Sequence, residues 1–286
     1  MSVFAPQAVS QRLTRRLTAL GVTPGQLMGV SASTFMFEAQ LDGRPVVVKL
    51  LRERDPMAGQ QHRAEQAAYR AAEAEHCPVR LPQLRYADAE VTILEHLAGR
   101  VLHPDRYPGQ LPRSAVERVL SMLDRLHTWR PQRLARTPLA RETIVGYQMA
   151  GLLCDDDVYA VECLLAAAGR QMRVEHAGLH ARRLLESGDT FAMVGLEHLV
   201  WHLPGRDWAQ LRLLWAPTNP WLASELDQRA HWAGISAAYT VNLLLAACDE
   251  WRVHHASPHF DLVKPTLAVN LADARSRLHR TAWSLP

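Results

Sequence analysis

The chain has 286 residues, of which 48% are hydrophobic and 21% are charged, a composition that excludes an intrinsically disordered protein. Its net charge of +3 is spread along the chain, so we do not expect a nucleic-acid-binding protein. The cysteines form no CxxC pair, which argues against a zinc or redox motif and suits reduced thiols in a cytoplasmic protein. We expect no signal peptide, because the N-terminal residues include no apolar core long enough for one. No apolar run of about 18 residues occurs, so no membrane span is predicted.

The first 97 residues are predicted to be rich in β-structure. Asp42-Gly43 separates two apolar, β-branched segments, and Asp-Gly between such segments is a strong hairpin signal. A segment rich in Ala, Glu and Arg then indicates a helix. In chain order, the predicted elements are a helix over 7–20, strands over 35–41 and 45–51, a helix over 58–76, and strands near 83–86 and 91–95.

After Gly99 the pattern changes to apolar residues at helical spacing. Helices are predicted over 113–129 and near 139–152, 156–172, 205–215 and 229–253. This change predicts an α+β protein with two lobes, a β-rich lobe over 1–97 and a helical lobe over 98–286. The cleft between such lobes is a favoured ligand site.

The first lobe resembles the small lobe of aminoglycoside and choline-type phosphotransferases, which have a protein-kinase-like bilobal fold. A loop over 28–33 precedes the strands, Lys49 ends Val-Val-Val-Lys, and Glu65 lies on the following helix. The resemblance implies an ammonium, held by a carboxylate, that binds the phosphates of ATP. The alternative is a surface lysine and a solvated glutamate.

The segment from Thr92 to Gly99 resembles the hinge of the same family. There Glu95 ends a strand, and the resemblance implies that the backbone near Leu97 binds adenine. The alternative is an ordinary strand end. Farther on, Leu-Asp-Arg-Leu-His ending at His127 resembles the family's LxxLH helix, for which we expect a packing role.

The segment His-Ala-Gly-Leu-His-Ala-Arg-Arg over 176–183 resembles the family's catalytic loop, H-G-D-x-H-x-x-N. His176 and His180 match, but the catalytic aspartate falls on Gly178 and the metal-binding asparagine on Arg183. Nearby, Met-Val-Gly-Leu-Glu over 193–197 resembles the family's metal-binding motif, whose aspartate falls on Gly195.

Asp207, in Pro-Gly-Arg-Asp-Trp-Ala, matches the family's structural aspartate, which braces the catalytic loop. With His176 and His180, it is expected to have a structural role. Arg183 has two interpretations. It binds a phosphate directly in place of the metal, or it pairs with Glu197 or Asp207 and fills the site.

Three departures at matching positions predict a pseudokinase without catalytic residues or a metal site. It would bind a protein partner, or ATP, another nucleotide or an anion without Mg²⁺, in the cleft between the lobes. The residues expected to remain of that site are Lys49, Glu65, Glu95, Leu97 and Arg183.

Two alternatives remain open. One is an active, divergent ATP-dependent phosphotransferase for a small hydroxyl substrate such as a sugar or a lipopolysaccharide core, with Glu197 or Asp189 supplying the missing carboxylate. The other is an unrelated α+β protein with chance motif matches, which would lack a five-stranded first lobe.

Overall fold

The computed structural model describes residues 11–30, 34–52, 56–136 and 141–285. These residues form two compact units. The first contains the described residues up to Arg100 together with Leu185–His198, and the second contains Val101–Leu184 and the residues from Leu199 onward.

The first part of the chain forms a mainly antiparallel β-structure with two helices. Its elements are α1 Gln11–Ala19, β1 Val22–Val30, β2 Thr34–Leu41, β3 Arg44–Leu51, α2 Pro56–Ala74, β4 Leu84–Ala87, β5 Val91–Glu95 and β6 Arg100–Val101. Strands β1 to β5 form one sheet in the order β1-β2-β3-β5-β4. This five-stranded sheet rules out the chance-match alternative and confirms the predicted α+β class.

The predicted hairpin is confirmed at Asp42-Gly43. Asp42 has φ 51° and Gly43 has φ 75°, and these left-handed conformations join β2 to β3 with Leu41 opposite Arg44. Two positive φ values in a two-residue loop match the twist of the flanking strands. The register of β3, and therefore the face on which Lys49 lies, follows from this turn.

The second part of the chain is mainly helical. Its elements are α3 Arg113–Thr128, α4 Arg141–Met149, α5 Asp155–Ala168, β7 Arg173–Glu175, β8 Leu184–Ser187, β9 Thr190–Met193, β10 Val200–His202, α6 Arg206–Trp215, α7 Pro220–Trp232, α8 Ser236–His255 and α9 Phe260–Trp283. Helix α8 is buried along most of its length and packs on α5, α6 and α9. None of the described helices is both long and apolar enough to cross a membrane.

Some predicted boundaries were wrong. The single helix expected over 229–253 is two helices, α7 and α8, separated at Gly234, whose φ of 66° ends the first of them. Helix α7 starts at Pro220, because proline is favoured at the first helical position. Helix α9 was not predicted, and the loop expected over 28–33 is strand as far as Val30.

Three predicted segments lie partly outside the described residues. They are positions 7–10 of the first helix, positions 31–33 of the loop and positions 139–140 of the helix predicted near 139–152.

The core of the first unit fixes which side of β3 faces the helix α2. Val46, Val48 and Leu50 are buried in the apolar cluster that also contains residues of α1, β1, β2 and β5. Because successive strand residues point to opposite faces, Lys49 lies on the other face of the sheet. Helix α2 packs against β3 and β4.

Gly99 occupies a position that only glycine fits. Its φ is 155°, and a Cβ there would lie 2.6 Å from the carbonyl oxygen of Glu186. We expect Gly99→Ala to lower the free energy of unfolding by about 1–3 kcal/mol, measured by urea denaturation. Gly109→Ala is the matched control, since a Cβ at Gly109 meets nothing within 4 Å. Equal losses in the two variants would contradict the steric argument.

Candidate active-site residues

Lys49 and Glu65 form a buried ion pair in the first unit. Lys49 lies opposite Met36 in β2 and Thr92 in β5, so its position is fixed from both sides. Its Nζ is 2.5 Å from Glu65 Oε1, and the two side chains are only 13% and 6% exposed. The same carboxylate oxygen accepts a hydrogen bond from Leu196 N at 3.3 Å. The alternative of a surface lysine and a solvated glutamate is therefore wrong.

A buried polar network orients the helix that carries Glu65. Gln66 Nε2 donates to Thr92 Oγ1 at 2.8 Å and to the carbonyl of Asp88. His62 Nε2 lies 3.1 Å from the same hydroxyl, and burial, aided by the nearby Lys49 charge, lowers the pKa of His62. These bonds tie α2 to β5 on the face of the sheet where Lys49 lies.

The predicted hinge residues continue from β5. Glu95 N donates to Gln83 O at 2.8 Å, and Glu95 Oε2 accepts from Gln83 N at 3.2 Å. His96 N donates to Pro45 O, and Leu97 is buried. The predicted adenine contact near Leu97 remains a prediction.

The loop segment 176–183, in the second unit, is held by the first turns of α6. Asp207 Oδ2 accepts from His176 N at 2.8 Å, and Asp207 Oδ1 accepts from Ala177 N at 2.9 Å. Ala177 has a left-handed φ of 55°, and Leu179 N donates to Gln210 Oε1 at 2.9 Å. The fully buried Asp207 carboxylate therefore fixes the backbone at the start of this loop.

Sequence reasoning missed the charges beneath this loop. His127 Nε2 lies 3.2 Å from Glu175 Oε2 and 3.5 Å from Asp207 Oδ2, and all three residues are buried. Burial opposes protonation of His127, but the two carboxylates outweigh it and raise its pKa to about 10. The missed signal was Glu175, a carboxylate directly before His176 in a short strand.

This triad of His127, Glu175 and Asp207 is an ion cluster. The three groups are close enough to share a metal ion. However, Glu175 also accepts from Gly205 N at 2.7 Å and from Asp207 N at 2.9 Å. With an imidazolium between them and backbone donors on both carboxylates, these oxygens are already satisfied.

The residues at the family's metal positions do not fit Mg²⁺, which needs oxygen ligands. Gly195 has no side-chain oxygen, and Arg183 supplies a cation. Of the carboxylates close to Gly195 in the sequence, Glu186 pairs with Arg100 at 3.0 Å and Asp189 is exposed. Glu197 is partly exposed and is the remaining candidate.

Comparisons with known proteins identify the fold and not a close relative. No protein-family model and no curated protein matches the sequence. Among solved structures, aminoglycoside phosphotransferase APH(4)-Ia matches with a TM-score of 0.60 and 13% identity, over 96% of this chain and 98% of that chain. The GDP and kanamycin complex of APH(2")-IIia matches with a TM-score of 0.63 and 11% identity, over 93% and 99% of the two chains.

The chain has the fold of the aminoglycoside phosphotransferases. A third match at 14% identity, a thermostable APH(4)-Ia mutant with AMP-PNP and hygromycin B, has a TM-score of 0.59 over 96% of this chain and 99% of that chain. The ligands in these matched structures are nucleotides and aminoglycosides. The predicted protein partner and scaffold role have no support in these comparisons.

The prediction of a catalytically inactive pseudokinase is corrected by these matches. The matched structures are phosphotransferases in complexes with nucleotide and antibiotic, which fit the alternative of an active phosphotransferase better. The physical error was to equate missing side chains with missing catalysis. Phosphoryl transfer passes through a loose transition state, in which positioning and charge stabilisation supply most of the rate enhancement.

Proposed function

We propose that this chain is a nucleotide-dependent phosphotransferase that acts on a small hydroxyl-bearing substrate. The observation that carries the proposal is the buried pair of Lys49 and Glu65, at 2.5 Å, on the strand and helix where the resemblance predicts a phosphate-binding lysine. A buried ion pair contributes little net stability, because desolvation offsets the attraction. A binding role explains why the charges are held there.

The presence of a lysine rather than an arginine at position 49 supports a phosphate-binding role. Lys49 and Lys264 are the two lysines in a chain whose other basic side chains, histidines aside, are arginines. An ammonium is a compact charge with three donors, and Glu65 occupies one of them in the first unit. The remaining N–H groups suit phosphate oxygens of a nucleotide.

The proposed reaction transfers the terminal phosphoryl group. The bond between the γ-phosphorus and its bridging oxygen breaks, and the nucleoside diphosphate leaves with the electron pair. A new bond forms from phosphorus to the acceptor oxygen, and the hydroxyl proton passes to solvent. A loose transition state develops little charge on the attacking oxygen, so a strong base at Gly178 is not essential.

Arg183 supplies a fixed positive charge at the end of the loop segment 176–183. Its backbone N donates to His180 O at 2.9 Å, within the short 3₁₀ turn Ala181–Arg183. A guanidinium pairs with phosphate oxygens in a bidentate manner and is charged at all working pH values. We therefore propose that nucleotide binding does not require a metal at the family's positions.

Replacing Lys49 by methionine should strongly weaken nucleotide binding. The expected result is a thermal stabilisation of the wild-type chain by ATP or GTP, retained in EDTA, and its loss in Lys49→Met. Lys264→Met is the matched control, because Lys264 is exposed and lies near the Phe260 ring. Binding should weaken by a factor of about 100 or more if the ammonium contributes two charge-assisted bonds.

A covalent readout complements the thermal shift. An acyl-phosphate derivative of ATP acylates a lysine beside the bound phosphates, and mass spectrometry distinguishes Lys49 from Lys264 directly. Labelling of Lys49 that excess ATP prevents would support the proposal. Equal labelling of both lysines, or nucleotide binding that survives in Lys49→Met, would contradict it.

A further inference from the structure

The loop segment 176–183 lies within a cluster of basic side chains in the second unit. This basic cluster consists of Arg106, His176, His180, Arg182 and Arg183. Leu102 N donates to Leu184 O at 2.8 Å, so the segment that leads to Arg106 runs beside the residue that follows Arg183. Arg182 is exposed and Arg183 is partly exposed, both in the 3₁₀ turn that follows His180. Burial and then the charges of the four other members lower the pKa of His180 to about 3, so its imidazole is neutral at physiological pH.

Arg106 is fixed in this cluster by a buried carboxylate. Glu250 is 3% exposed, and it accepts from Arg106 Nε at 3.0 Å and also from Arg106 Nη2. Tyr107 OH donates to the same carboxylate at 2.7 Å and lies 3.0 Å from His254 Nε2. Glu250 therefore fixes the position of the Arg106 guanidinium, whose charge acts on His180.

The buried carboxylates of this region are compensated. Glu250 pairs with Arg106, while Glu175 and Asp207 share His127 and accept backbone N–H groups. Asp105, next to Arg106 in the sequence, is exposed and lies 3.8 Å from His103 Nδ1. The three arginines of the cluster outnumber this exposed carboxylate, and their planar donors match the phosphate or carboxylate oxygens of an anion rather than the amines of a polycation.

We infer that the acceptor is an anion, a hydroxyl compound that carries a phosphate or carboxylate group bound by the basic cluster. The inference rests on the proposed function for the identity of the reaction, but anion binding by Arg106 and Arg182 is measurable without turnover. It assigns a substrate class opposite in charge to the aminoglycosides bound by the matched structures.

The test uses the full chain with Lys49→Met in the background, so that the nucleotide-binding lysine does not contribute. Inorganic phosphate is titrated by calorimetry against sodium chloride of equal ionic strength. We expect saturable phosphate binding that weakens about tenfold or more in Arg182→Gln and in Arg106→Gln. Arg113→Gln is the matched control, since Arg113 is exposed and pairs with Glu117 in α3. Arg182 is exposed, so its variant should fold even if Arg106→Gln leaves Glu250 unpaired and fails to fold.

A second arm separates anion sources with four sugars of similar shape. Glucose 6-phosphate and glucuronate should bind or accept phosphate from ATP, while glucose and glucosamine should not. Preference for glucosamine or kanamycin, or phosphate binding unchanged in Arg182→Gln, would overturn the inference and leave the proposed function intact. Phosphate binding that requires Arg182 in a chain that binds no nucleotide would support the anion site and refute the proposed function.

Discussion

Replacing Asp207 by alanine is expected to lower the free energy of unfolding by about 3–5 kcal/mol, because it removes one member of a buried, charged network. The Asp207 carboxylate is fully buried, accepts from His176 N and Ala177 N, and lies 3.5 Å from the His127 imidazole. Without it, two buried backbone donors and part of the imidazolium charge lose their partner. In the same variant, the backbone of the loop segment 176–183 should no longer be held in one conformation.

Urea denaturation at pH 6.5 measures this loss, with the slope of the transition checked for a change in compactness. Asp227→Ala is the matched control. Asp227 also accepts from two side chains, Arg212 and Arg277, but it is about one-third exposed, so its removal should cost about 1 kcal/mol or less. Comparable losses of unfolding free energy in Asp207→Ala and Asp227→Ala would show that the burial of Asp207 does not determine the size of the loss.

The sequence predicted β2, β3 and α2 because their signals are local, whereas it predicted neither β1 nor the placement of Leu185–His198 in the first unit. The Asp42-Gly43 turn sets the register of β3, and period-two alternation then separates Val48 from Lys49. The helical unit was harder. Pro220 and Gly234 mark the two ends of one helix, but the prediction began a helix near 229 and continued it through the glycine.

The sequence predicted only that part of the candidate site in which the two paired residues have a characteristic spacing along the chain. Lys49 and Glu65 are 16 residues apart and follow a motif. The charged cluster of His127, Glu175 and Asp207 joins α3, β7 and α6, which no local pattern brings together. This cluster forms only through tertiary packing, and the sequence does not distinguish a charged residue that will be buried from one that will be solvated.

The functional prediction failed for a different reason. Gly178, Arg183 and Gly195 were interpreted as losses, which is correct for a proton acceptor and for Mg²⁺ ligands. The sequence analysis considered phosphate binding by Arg183, but it did not consider that the same charge can also stabilise the transition state. In our proposal, the basic cluster of this loop binds an anionic acceptor.

The stability of the protein is expected to decrease as the pH rises from 6.5 to 9.5. The pKa of His127 is raised from an ordinary value of 6.5 to about 10, so its stabilising contribution is complete below pH 6.5 and is lost as the pH approaches 10. The pKa of Glu175 is lowered: burial alone would raise it, but the His127 charge outweighs that effect, so its contribution is lost only in acid. The unfolding free energy should fall by up to about 1.4 kcal/mol per pH unit, about 5 kcal/mol at most.

Two thiols act in the same direction at the upper end of this window, because burial raises the pKa of Cys77 from 9.0 to about 11 and that of Cys248 to about 12. Burial lowers the pKa of His180 and His202, and these groups therefore destabilise the fold below pH 6.5 and not above it. Burial raises the pKa of Tyr147 and Tyr239 above 10, so the two phenols stay protonated throughout. Denaturation curves at one-unit intervals measure the slope, and an NMR titration assigns it to the His127 ring. A flat profile, or an imidazole that titrates near pH 6.5 in the folded chain, would show that His127 is not held as a cation between Glu175 and Asp207.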